Sequence, residues 1–126
     1  MSAARVKPAV LQWFGVFGAA FAWASLHVVG FAVTLASCER AGTRWSVATD
    51  GITIAATALA AVVAVLAGAS ALATYRMAGG ASHDDPPPKG RMQFLGVVGM
   101  AVTPLFLAII LMDGSGVLSL EVCRQS

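Results

Sequence analysis

The sequence predicts an all-α integral membrane protein with three transmembrane helices, the amino terminus inside and the carboxyl terminus outside. Three observations predict it. Of 126 residues, 58% are apolar and only 11% are charged, whereas an average soluble domain is about a quarter charged. Mean hydropathy is +0.80. Three windows contain no Asp, Glu, Lys or Arg: Pro8–Cys38, Gly51–Tyr75 and Met92–Met112. A chain this small cannot hide so much apolar surface inside itself in water. A soluble enzyme, a nucleic-acid binder and a disordered tail are thereby excluded.

A hydrocarbon core of about 30 Å takes about 20 helical residues to cross, so each window crosses once and none crosses twice. The expected helices cover about 9–37, 51–75 and 92–112, within a single membrane domain over 1–126. The first window is longer than a crossing requires, which permits tilt. With the amino terminus inside, the inner side holds Arg5, Lys7, Arg76, Lys89 and Arg91, and the outer side holds Arg40, Arg44 and Arg124. The excess of cations inside sets the orientation. The start also resembles a signal peptide, and Leu35-Ala36-Ser37-Cys38 resembles a lipoprotein processing box. A signal core is only about 7–15 residues long, so this longer run reads as the first transmembrane helix.

Between the second and third windows, the cytoplasmic loop 77–91 contains Gly79-Gly80, Asp84-Asp85 and Pro86-Pro87-Pro88. Glycine and proline in this density predict a solvated linker. His83-Asp84-Asp85 on such a loop does not make a coordination sphere, and no metal site is expected. The external tail, 113–126, begins Asp113-Gly114-Ser115-Gly116, which is expected to end the third helix.

Cys38 and Cys123 fall on the same external side in this topology. A bacterial periplasm is oxidising, so a Cys38–Cys123 disulfide is expected there. Closing the long loop between them stabilises by about 4 kcal/mol in the chain-entropy account. The bridge would pin the tail to the bundle. The other reading is a pair of small unpaired hydrophobes.

On the first helix, Ala20, Trp23, His27, Gly30 and Thr34 recur every three or four residues and share a face. Phe14, Phe17 and Phe21 share another. Small and polar residues gather at helix contacts in membranes, so the Trp23–His27 face is the expected packing face. His27 is the only ionisable side chain deep in a predicted span, and an intramembrane histidine is a functional candidate by default. Axial ligation of haem needs a second ligand that no other span supplies, a proton relay needs neighbouring acids or hydroxyls, and the remaining reading is a hydrogen-bonded neutral imidazole. The second helix is dominated by alanine, which suits close packing on more than one neighbour. Pro104 is expected to kink the third helix near Met100.

Nothing in the chain has the pattern of a nucleophile elbow, a phosphate loop or paired buried carboxylates, and the chain reads as non-enzymatic. Ala22-Trp23, His27 and Cys38, followed by Arg91, Phe94-Leu95, Gly99, Leu105-Phe106 and Cys123, resemble a family of small three- or four-helix membrane proteins encoded beside bacterial haem-copper cytochrome c oxidases. The resemblance implies a non-catalytic accessory or assembly subunit of a respiratory electron-transfer complex in the bacterial inner membrane. Its partners would be integral membrane subunits and lipid, not nucleic acid. The chain alone would bind no cofactor, with haem reached through a partner. The alternatives are a small homo-oligomeric transporter or channel, and a haem- or pigment-contacting subunit that uses His27.

Overall fold

The computed structural model describes residues 6–38 and 49–119. These form three helices: α1 (Pro8–Cys38), α2 (Thr49–Met77) and α3 (Lys89–Ser119). All three are long and apolar enough to cross a membrane, and each packs on both of the others. The protein is therefore all-helical with three candidate spans, as the uncharged windows predict.

Local chemistry explains the ends. Pro8 opens α1, where its missing N–H costs nothing and its fixed φ suits the first turn. The Lys7 carbonyl accepts from the Val10 and Leu11 amides at 2.9 and 3.3 Å. Asp50 in the first turn of α2 and Arg76 in its last complement the helix dipole. Gly79 and Gly80 adopt φ of +60° and +79°, a left-handed conformation that stops α2 and that glycine adopts cheaply. The Met92 amide donates to the Pro88 carbonyl at 3.1 Å to start α3. The connection itself folds as a turn, with the Ser82 amide donating to Asp85 Oδ2 at 2.8 Å and Gly90 packed under the Asp85 carbonyl.

The third helix corrects one expectation. It runs without a break through Asp113-Gly114-Ser115-Gly116 to Ser119, so the segment expected to begin the external tail at 113 is helical. Two features allow this. Glycine is well tolerated in membrane-type helices, and the serines bond back to their own helix: Ser115 Oγ to the Met112 carbonyl at 2.8 Å and Ser119 Oγ to the Ser115 carbonyl at 3.0 Å. Pro104 lies inside α3 with its side exposed, and the helix continues across it.

The interior is a seam of small residues. Gln12, Gly15, Ala19, Ala22 and Leu26 line it from α1; Ala60, Ala64, Ala67, Ala71 and Thr74 from α2; Met92, Gly96, Gly99, Thr103 and Ile110 from α3. The alternating spacing of three and four residues is that of left-handed helix packing. The expected packing face of α1 is offset from this seam by one residue. Ala20, Trp23, Gly30 and Thr34 are half-buried and His27 is exposed, because the run of Gly15, Gly18, Ala19 and Ala22 lets the backbones approach along the neighbouring line. Phe17 and Phe21 point outward, the latter 73% exposed.

At the tightest level the three backbones meet. A Cβ built on Gly99 would lie 2.7 Å from both Ala71 Cβ and the Gly15 carbonyl oxygen, and one on Gly15 would lie 2.9 Å from the Ala71 amide nitrogen. There is no room for a water file along the axis at this level. The most apolar windows of the three helices are only 22%, 17% and 22% buried. The bundle therefore keeps its bulky apolar residues on the outside, which water would penalise and lipid does not.

Candidate functional site

Polar side chains from all three helices meet toward the end of the bundle formed by the C-termini of α1 and α3 and the N-terminus of α2. His27 is the centre. Its Nδ1 lies 3.2 Å from the Trp23 carbonyl oxygen one turn back and 3.8 Å from Asp113 Oδ2 on α3. Both neighbours of Nδ1 are acceptors, so Nδ1 carries a proton and donates, leaving Nε2 as the available ring nitrogen. The Trp23 ring packs on the imidazole with centroids 4.5 Å apart and on Phe106 of α3 at 5.7 Å. This second contact ties the position of His27 to the third helix.

Asp113 is held beside His27 by its neighbour in sequence. Gly114 lets α3 approach α2, since a Cβ there would fall 2.5 Å from Thr57 Cγ2. Asp113 is thereby directed to the α1 side, where it is half-buried. Its Oδ2 is inaccessible to solvent and accepts no hydrogen bond, and Thr57 Oγ1 and Trp23 Nε1 are likewise buried without a partner. A cavity of about 370 Å³ opens against this group, lined by Leu26, His27, Val29, Gly30 and Phe31 of α1, Thr53, Ala56 and Thr57 of α2, and Asp113 and Val117 of α3. A second cavity, about 200 Å³, lies between α1 and α2 and is lined by Phe21, Ala22, Ser25, Leu26, Val29, Ala56, Leu59, Ala60 and Val63.

His27 is therefore not isolated. Asp113, expected at or beyond the membrane surface, is its nearest acid, and Thr53 and Thr57 bring hydroxyls from a helix read as mainly alanine. The signal for Asp113 was present in the sequence: Gly114 and Gly116 flank serine, and small residues in an apolar segment mark helix contact as readily as helix end. Trp23 stands with His27 as expected. Ala20, Gly30 and Thr34 share its side of α1, and of these Gly30 lines the cavity.

The remaining expected features lie apart. Cys38, the last residue of α1, is not a free thiol, while Cys123 lies outside the described residues, as do Arg40, Arg44 and Arg124. His83 Nε2 approaches Asp84 Oδ1 at 3.5 Å on an exposed turn. Among the described residues no three His, Cys, Asp or Glu side chains gather as a metal site. No protein-family model, curated protein or solved structure matches this chain.

Proposed function

We propose that this chain is a non-catalytic accessory or assembly subunit that packs against larger integral membrane proteins, in a bacterial electron-transfer complex such as a terminal oxidase. The observation that supports this reading is the division of labour on the helices. Small residues make most of the internal contacts, while Phe21, Val28 and Met112, each at least 70% exposed, leave long apolar flanks for neighbours of the same solvent preference. The oxidase itself comes from the resemblance in α1 and α3. In this proposal the inner face carries Lys7, Arg76, Lys89 and Arg91, and the membrane is the bacterial inner membrane with the carboxyl terminus outside.

The test is purification of the tagged chain from its native membrane in mild detergent. Co-elution with larger haem-bearing integral membrane proteins is the expected result. A particle made of this chain alone refutes it, and a homo-oligomer that conducts ions replaces it with the transporter or channel reading. A haem- or pigment-contacting role has one observation in its favour: Nδ1 of His27 lies within hydrogen-bond distance of the Trp23 carbonyl, which is how ligating histidines are usually oriented, with the other nitrogen toward the metal. In that case an absorbance band of the purified complex disappears in His27→Ala.

The proposal includes a Cys38–Cys123 disulfide that ties the carboxyl-terminal segment to the end of α1. Mass spectrometry under non-reducing conditions should find a peptide containing both cysteines. Two alkylatable thiols in the periplasm-exposed protein would remove the tethered tail from the reading.

A further inference from the structure

The cavity beside His27 is lined by the Asp113 carboxylate and by the hydroxyls of Thr53 and Thr57, and the one donor-only group buried nearby without a partner, Trp23 Nε1, is not among the residues that line it. Asp113 Oδ2 and Thr57 Oγ1 are buried there without a partner. His27 Nδ1 lies on the Trp23 carbonyl of its own helix, and in the neutral tautomer that donates there Nε2 is a further acceptor. The positive groups of the described residues, Lys7, Arg76, Lys89 and Arg91, all stand at the opposite end. At 1.5 Å per helical residue, about 30 Å separates the two ends, so those cations are too distant to pair with Asp113. Apart from Thr53, the rest of the cavity wall is apolar, with Leu26, Val29, Phe31 and Val117.

Such a wall selects a ligand. Its polar end must donate hydrogen bonds, since a buried carboxylate oxygen left unmatched costs more than a neutral group does. It should carry positive charge, because the facing carboxylate has no ammonium or guanidinium nearby among the described residues. Its body must be apolar and fit about 370 Å³, within the range of small-molecule sites that combine apolar walls with a few convergent polar groups. We propose that this cavity binds a lipophilic primary ammonium ion, its N–H groups donating to Asp113, Thr57 and His27 Nε2 and its chain lying along Phe31 and Val117. Phe31 in the cavity wall adds an aromatic face that attracts cations. The site is a property of the single bundle and stands whether or not the chain docks on a larger complex.

The test uses the full chain in a neutral maltoside detergent with Trp13 and Trp45 replaced by Phe, so that Trp23, packed on His27, reports the site. Decylammonium, decanol and decyl sulfate are titrated at matched mole fractions in the micelle. Decylammonium should shift the Trp23 emission saturably, and decanol and decyl sulfate should give only a linear solvent response. Asp113→Asn should weaken the decylammonium response by about tenfold, the loss of one charge-assisted hydrogen bond, and Asp113→Glu should restore most of it. Equal saturation by decanol, an unchanged response in Asp113→Asn with native helicity, or no saturable response at all overturns the proposal. Failure of the docking reading would show instead in the co-elution experiment and leave these titrations unaffected.

Discussion

Replacing Gly99 with Ala lowers the unfolding midpoint of the detergent-solubilised bundle, although alanine is the better helix former. In an isolated helix the exchange would gain about 1 kcal/mol. Here the new methyl carbon would sit 2.7 Å from Ala71 Cβ and from the Gly15 carbonyl oxygen, and neither neighbour is the end of a flexible side chain. The helices must separate, and separation removes contact along the whole seam. The expected loss is about 3 kcal/mol, at the upper end for overpacking, and Gly99→Leu should prevent assembly of the native bundle. Gly116→Ala is the control, because a Cβ there meets nothing within 4 Å and only the helix-propensity gain remains. Thermal unfolding followed by circular dichroism, with size-exclusion profiles, reads both. Equal midpoints for Gly99→Ala and Gly116→Ala would dispose of the three-backbone contact.

Ile110→Ala carries the second large effect. Ile110 is the largest apolar side chain with no exposure at all, and it closes the seam just below the layer of Asp113. Removing it takes away packing that the alanines of α2 cannot move to replace. In water such a truncation costs about 2–5 kcal/mol. In lipid or detergent part of the transfer contribution is absent, because the unpacked side chain still meets hydrocarbon, so about 2 kcal/mol of lost dispersion contact is expected. The neighbouring Ile109→Ala points outward, 40% exposed, and should change the midpoint by less than a third as much. A reversal of that order would mean that α3 is rotated about its axis from the arrangement described.

The three spans are legible because charge is excluded from them, and exclusion is a strong signal over twenty residues. The rotation of each helix is not legible in the same way. In a soluble helix the apolar side marks the interior, but here every side is apolar and the interior is distinguished by size alone. A reading of α1 that groups Trp23 and His27 with the contact line is therefore off by one position, and Ala19, Ala22 and Leu26 take it. The α2 alanines lie all round the helix, so their sequence cannot say which of them are inside; Ala64, Ala67 and Ala71 are, through spacing matched to Gly15, Gly18 and Gly99. For the candidate site, His27 and Trp23 stand out because they are rare in such surroundings. Thr57 and Asp113 do not, since their meeting depends on α3 continuing past Gly114. A local rule that glycine ends helices fails there, where a continuous backbone hydrogen-bond ladder outweighs the propensity cost of two glycines.

The lengths of the helices have one more consequence. From Lys7 to His27, from Arg76 to Thr57 and from Arg91 to Asp113 the rise is about 30 Å, the full thickness of an ordinary hydrocarbon slab. Yet α1 goes on to Cys38 and α3 to Ser119, and the extra turns include Val28, Phe31 and Leu35, all exposed. A bilayer that begins at the ring of cations thus runs out at the imidazole and leaves a greasy collar standing proud. Such a collar favours thick, sterol-like or highly ordered membranes, a steep lean of the whole bundle, or a neighbouring polypeptide tall enough to wrap it.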